Sequence, residues 1–260
     1  MCHPAAVTPP AVYDQIGSSY SRTRREDPRI AATIHDALGD AGTVLNVGAG
    51  TGNYEPADRT VTAVEPAVEM IRQRRGRAGR VVRAWAEALP FPAGTFDVAM
   101  AILTIHHWTD VDLGLRELHR VAGRQVVFFF EPLRTRQFWA LDYFPEAAAV
   151  PSEQDPPGIE AIERTLSVIE VRRVLVPHDC TDGFGAAFWR RPEAYLDSEV
   201  QAGMSWLALL SSEARERGSA RLASDLASGA WDHRHGRLRS LTEYDAGYRI
   251  AIADSGSRET

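Results

Sequence analysis

The stretch "VLNVGAGTGNYEP", Val44 to Pro56, decides the fold. An apolar run is broken by Gly48, Gly50 and Gly52 in GxGxG spacing, and the next apolar run, "TVTAVE" at 60–65, follows closely. Such near-continuous hydrophobicity is the pattern of a strand buried on both faces. Glycines at the carboxyl end of that strand let the backbone approach a ligand that side chains would hold off. A dinucleotide's pyrophosphate would call for a helix directly after the glycines, and "NYEPADR" is too short and too interrupted by proline to supply one. The glycines alone are compatible with a nucleoside cofactor, a dinucleotide or a plain tight turn, and the missing helix counts against the dinucleotide. Glu65, thirteen residues after Gly52, is placed to accept hydrogen bonds from ribose hydroxyls.

Outward from this stretch the chain alternates. Before it, "DPRIAATIHDALG" predicts a helix capped by Asp27, opened by Pro28, with Ile30, Ile34 and Leu38 on one face and Gly39 as its stop. After it, apolar runs at 96–104 and 125–131 read as further buried strands. "PAVEMIRQRR" and "DLGLRELHRVAG" read as helices, the latter with Leu113, Leu115 and Leu118 inward and Gly123 as a stop. Strands alternating with helices imply an α/β fold with a doubly wound, mostly parallel sheet. Late strands are expected at 168–177 and 244–253. The roughly sixty residues between them far exceed an ordinary connection and read as a helical insertion before the last strand, covering something as a lid over about 180–242. The whole, 1–260, is expected to be one domain.

Bulk properties narrow the function. The net charge of −6 argues against a nucleic-acid partner. Two cysteines, far apart, make no disulfide framework or metal motif, and no apolar run of about 18 residues points to a membrane, so a cytoplasmic protein is expected. All 29 basic residues are arginine, which excludes chemistry that needs a lysine from this chain, such as a P-loop or a Schiff base. The six arginines from Arg72 to Arg83 read as a solvated face, and "DHRH" at 232–235 lacks a third ligand at metal spacing.

"VLNVGAGTG" and "VTAVEP", taken with "AWAEALPFPAGTFDVAMAILTIHHWTD" at 84–110, resemble the class I S-adenosylmethionine-dependent methyltransferases, a Rossmann-like fold. The resemblance covers about residues 10–132 and is nearest to the small-molecule branch containing the ubiquinone and menaquinone C-methyltransferases. It implies S-adenosylmethionine as cofactor and a small-molecule substrate. It also implies that Gly48, Ala49, Gly50 and Gly52 line the methionine and ribose portion, Glu65 takes the ribose hydroxyls and Pro66 packs on the adenine. Ala86 and Glu87 would border the adenine amino group, with Tyr20 and Arg24 closing over the cofactor and meeting its carboxylate. Two residues depart from the family pattern: Asn46 and Trp85 stand where relatives usually carry acids.

Methyl transfer requires alignment above all, because the sulfonium is already activated. A base is needed only where the acceptor holds its proton, and His106 and His107, just beyond the 96–104 strand, are the candidates. Tyr13 reads as a packing residue and Glu131 as a strand-end contact. The late aromatics, Phe138 to Trp206, read mostly as core of the insertion, with a share in a ligand pocket. Arg190 and Arg191 fit either an acidic substrate or a helix end. The rival readings are a nicotinamide oxidoreductase and the same fold using S-adenosylmethionine for a non-methylating reaction, such as cyclisation, or as a structural piece. A nucleic-acid methyltransferase would call for an (Asp/Asn)-Pro-Pro-aromatic run where this chain has "LTIHHW".

Overall fold

The apolar runs become neighbouring strands in a computed structural model, which describes residues 13–17, 20–74 and 79–254. In chain order the strands are β1 (Thr43–Val47), β2 (Thr60–Val64), β3 (Arg80–Val82), β4 (Phe96–Ile102), β5 (Ala122–Phe130), β6 (Val168–Arg173), β7 (Val176–Pro177), β8 (Glu243–Tyr244) and β9 (Tyr248–Asp254). Seven form one sheet in the order β3-β2-β1-β4-β5-β9-β6. The pairings from β3 through β5 are parallel, and β9 runs antiparallel to both β5 and β6. The expected strands at 168–177 and 244–253 each divide in two. β7 and β8 peel off into a separate antiparallel ribbon, while β6 and β9 stay in the sheet. β3 carries only Val81 and Val82 as apolar signal and gave the sequence reading nothing to hold.

Because strand side chains alternate, the sheet builds two cores. Val44, Val98, Val126 and Phe128 face one side with Ile30, Ile34 and the late aromatics; Leu45, Ala99, Val127 and Phe129 face the other with Leu115, Leu118 and Ile162.

The helices that flank the sheet begin with two short N-terminal turns, α1 (Tyr13–Ile16) and α2 (Tyr20–Thr23), and then α3 (Pro28–Ala37). The Asp27 side chain caps α3 by accepting from the Arg29 N–H. α4 (Val68–Arg72) follows β2, and α5 (Val111–Val121) follows β4 under an Asp110 cap. Leu115 and Leu118 are buried, but Leu113 turns outward beyond the edge of the apolar stripe, and Gly123 does not stop the helix, because β5 has already begun at Ala122.

Between β1 and β2 the described backbone makes only turns. Tyr54 explains how that turn is held. Its backbone sits in the left-handed region at φ 66°, its N–H donates to Glu26, its carbonyl meets the His35 ring, and its hydroxyl donates to Asp182 at 2.7 Å.

The helices outside the regular strand–helix alternation come from two places. α6 (Pro132–Thr135), α7 (Pro151–Gln154) and α8 (Ile159–Glu163) precede β6; α9 (Ser198–Ala202), α10 (Ser205–Ala208), α11 (Ser212–Ser228) and α12 (Ala230–His235) lie between β7 and β8. Trp139 and Trp189 lock the two together: the Trp139 indole donates to the Trp189 carbonyl, and the Trp189 indole to that of Val176. Gly203 is required where the second group meets α2, since a Cβ there would sit 2.1 Å from the Thr23 hydroxyl.

One buried ion pair ties these parts together. Arg24 Nε lies 2.7 Å from Asp182, whose side chain has no solvent exposure. Removing one partner of such a pair strands the other's charge and costs about 3 kcal/mol or more. Asp182→Ala is therefore expected to lower unfolding stability by about that amount in urea titrations, whereas Arg22→Ala, which breaks the exposed pair with Glu199, should change it by less than ~1 kcal/mol.

Candidate active site

The glycine turn follows β1 and opens a cleft at the carboxyl edge of the sheet. Gly48 is held at φ 68°, and a Cβ there would lie 2.1 Å from the Thr104 hydroxyl, so only glycine lets the turn pack under β4's exit. The cleft encloses about 230 Å³ and is lined by Gly48, Ala49, Gly50, Glu65, Pro66, Trp85, Ala86, Tyr20 and Arg24, with Asn46 at its floor. Two residues expected here lie elsewhere. Gly52 turns toward the Arg74 guanidinium and the Glu55 carboxylate. The Glu87 carboxylate is used in accepting from the Thr109 and Asp110 N–H groups and the Thr109 hydroxyl.

Glu65 is buried, and its two oxygens accept from the Gly50 N–H at 2.7 Å and the Ala67 N–H at 2.9 Å. Burial raises its pKa, and those two donors oppose the rise. Asn46 donates to Glu55 at 2.9 Å, and its buried Oδ1 has no hydrogen-bond partner among the described residues. Glu55 in turn pairs with Arg74 at 2.8 Å, both side chains almost wholly covered. Arg74 thus departs from the expected solvated face; Arg75 and Arg77 lie outside the described residues. Arg24 does not present a free charge either, since it is bound to Asp182 and donates to the Tyr20 hydroxyl.

A second, larger cavity of about 410 Å³ adjoins the cleft, and Tyr13, Arg24 and Leu103 line both. Its roof comes from 135–156 as well as from 184–206, so the cover extends beyond the 180–242 segment expected from the sequence. Phe138, Phe184 and Trp206 are the late aromatics that reach it, while Arg190 and Arg191 donate to the Leu241 and Cys180 carbonyls and do not line it.

His106 and His107 sit on a 3-10 turn, Ile105–His107, with ring centroids 3.9 Å apart. His106 lines the larger cavity and His107 the cleft. His107 Nε2 is 3.2 Å from the Tyr13 hydroxyl, so Tyr13 is more than packing. Burial, then the neighbouring Arg24, pushes His107 down to about 4; burial, then His107 and Arg24, holds His106 well below the usual imidazole range. Both rings are neutral near pH 7. Leu103, between the cavities, is in the left-handed region at φ 49°, a strain held by its N–H bond to Phe128 at 2.7 Å. Leu103 and Thr104 lie inside the 84–110 stretch, but no spacing rule marks either as a boundary residue.

The comparisons with known proteins agree with this geometry. Residues 45–130 match the family model described as a methyltransferase domain. The ubiquinone/menaquinone biosynthesis C-methyltransferase of Geotalea uraniireducens is 30% identical over 123 residues, which are 40% of this chain and 52% of that protein, so the chain spans about half the length of the curated relative it matches. A solved structure from Anabaena variabilis, described as a candidate methyltransferase of an antibiotic biosynthesis pathway, is 33% identical, with 89% of this chain and 98% of that one covered and a TM-score of 0.81. The chain belongs to the class I S-adenosylmethionine-dependent methyltransferases. The [4+2]-cyclase SpnF, 16% identical with a TM-score of 0.53 over 95% of this chain and 97% of that one, shares the fold.

The residues present fit the methyltransferase cofactor. A glycine cradle that a Cβ would fill, a buried carboxylate facing the cleft and an orphaned Asn46 Oδ1 suit a nucleoside bearing paired hydroxyls and an amino group. Among the described residues no helix is long and apolar enough to cross a membrane.

The depressed histidines carry a stability consequence. An imidazole that titrates at 6.5 when unfolded and at about 4 when folded leaves the unfolded state holding more protons between those values, so stability falls as pH drops from 6.5 toward 4. One such ring contributes at most about 1.4 kcal/mol per pH unit. Urea titrations from pH 7 to 4.5 should show this decline, and His107→Gln should make it shallower.

Proposed function

We propose that this chain transfers a methyl group from S-adenosylmethionine to a small, partly apolar acceptor held in the 410 Å³ cavity. The observation that carries the reading is the shared wall: the cleft built from the glycine turn, with Glu65 and Asn46 in its lining, and the larger cavity lined by Phe138, Phe184 and Trp206 meet at Tyr13, Arg24 and Leu103. When bound, the cofactor supplies a methyl group already activated on a sulfonium. The protein's part is then to bind, to orient and to exclude water.

In this reading Gly48, Ala49 and Gly50 allow close approach, Glu65 accepts from the ribose hydroxyls, and Pro66, Trp85 and Ala86 border the adenine. Asn46 Oδ1, left without a partner, accepts from the amino group in place of the acid that relatives carry. Tyr20 keeps its own proton to donate to the cofactor's carboxylate, while Arg24, neutralised by Asp182, closes the wall between the two sites. The segments at 135–156 and 180–242 act as the lid of a single domain, and burial of the acceptor beneath them keeps water from the reacting atoms. His106 faces the acceptor as a neutral ring able to accept a hydrogen bond and, given its depressed pKa, a weak base. The relative ascribed to an antibiotic pathway supports a setting in secondary metabolism.

Calorimetry with S-adenosylhomocysteine tests the cofactor half. Glu65→Ala should weaken binding by about tenfold or more through loss of a charged acceptor, and unchanged affinity would remove Glu65 from the site. An acceptor screen scored by S-adenosylhomocysteine release tests the rest, since a cyclisation or a structural cofactor would release none. With the acceptor saturating and chemistry rate-limiting, the rate should show no inflection from a histidine near pH 6.5, because His107 is pushed down to about 4 and His106 is held well below the usual imidazole range.

A further inference from the structure

The larger cavity holds one ionisable side chain that neither the fold nor the proposed transfer uses. Glu153, on α7, lines this cavity together with the aromatic side chains of Phe130, Phe138, Phe184, Trp206 and Tyr248. The α7 turn packs against the Ile105–His107 turn, so Glu153 enters the cavity on the side that carries His106. Among the described residues its carboxylate has one hydrogen bond, a long 3.5 Å contact from the adjacent Ser152 hydroxyl.

The other charged groups of the cavity are accounted for. Arg24 is bound to Asp182. Arg136 is exposed and donates to the Gln154 carbonyl at 2.8 Å, and Asp142 is exposed. His106 is neutral near pH 7. None of them forms an ion pair with Glu153 among the described residues. Burial accordingly pushes the Glu153 carboxyl up to about 7, opposed only by the Ser152 hydroxyl.

A carboxylate set among aromatic faces without a cation is unfavourable in the empty protein and complementary to a cation of the right size. An ammonium brought by a ligand would restore the missing partner, and the negative faces of the surrounding rings would add to its attraction. A neutral or acidic ligand would leave the carboxylate unpaired or repel it.

We infer that the acceptor is an amine: a molecule with an apolar body and a protonated primary or secondary nitrogen, anchored by that nitrogen at Glu153 beneath the aromatic roof. The inference rests on the methyltransferase reading and names its substrate class. It assigns Glu153 to recognition of the acceptor.

The test compares matched amines and alcohols by calorimetry on the full chain saturated with S-adenosylhomocysteine. The pairs are hexylamine and hexanol, 2-phenylethylamine and 2-phenylethanol, and tryptamine and tryptophol. At least one amine should bind about tenfold or more tighter than its alcohol. In Glu153→Gln, which keeps the shape of the side chain, that preference should vanish, while Glu153→Asp retains part of it. Affinity for S-adenosylhomocysteine should be the same in all three proteins, which reports that the variants are folded. If no amine is preferred over its alcohol, or if the preference survives in Glu153→Gln, the inference is overturned. Failure of S-adenosylhomocysteine to bind the unaltered protein would overturn the methyltransferase reading itself, a result distinguishable from the first.

Discussion

The carboxylate of Asp182 holds three stretches of chain that are distant in sequence. It accepts from Arg24 on the N-terminal arm and from the Tyr54 hydroxyl on the turn after the glycines, and it belongs to the covering segment that follows β7. Fully buried, it cannot exchange these donors for water, so the geometry of all three is fixed at one point. Arg24 can then serve as a wall between two cavities, and the cleft can form where a helix would otherwise have followed β1.

Around that point the protein separates two environments. The cleft is polar at its working surfaces, with backbone N–H groups aimed at Glu65 and an uncommitted acceptor at Asn46. The larger cavity has Phe138, Phe184 and Trp206 in its lining, and burial keeps His106 and His107, one on each cavity, neutral near pH 7. Two adjoining cavities that share a wall can hold two ligands with their reacting atoms side by side, and alignment is what a transfer from an activated donor chiefly requires. The backbone strain at Leu103 falls on the boundary, where the strand must end abruptly for the cavities to meet.

Several features of the site were legible in the sequence because they obey local rules. Gly48 and Gly50 are fixed by the φ they must adopt, Glu65 by its place at the end of β2, and the helix from Pro28 by its cap and apolar spacing. Gly52 and Glu87 fit the family pattern equally well, yet neither lines the cleft. Gly52 bends against the Arg74–Glu55 pair, and Glu87 is taken up by the N–H groups that precede α5. Local spacing cannot show which of several available partners a carboxylate will take, since that depends on what the fold brings beside it.

The sequence by itself determined the alternation of strands and helices and the glycine turn with its acidic partner, because each is set by periodicity or by backbone geometry within a few residues, and its motifs carried the resemblance to the family. Only the tertiary structure decided that Arg24 is paired with Asp182, that Arg74 is buried, that Tyr13 meets His107, and that Glu153 lines the larger cavity without an ion pair among the described residues. Each of these is a matter of charge pairing and burial between segments far apart in the chain, and burial depends on the whole enclosure rather than on any one segment.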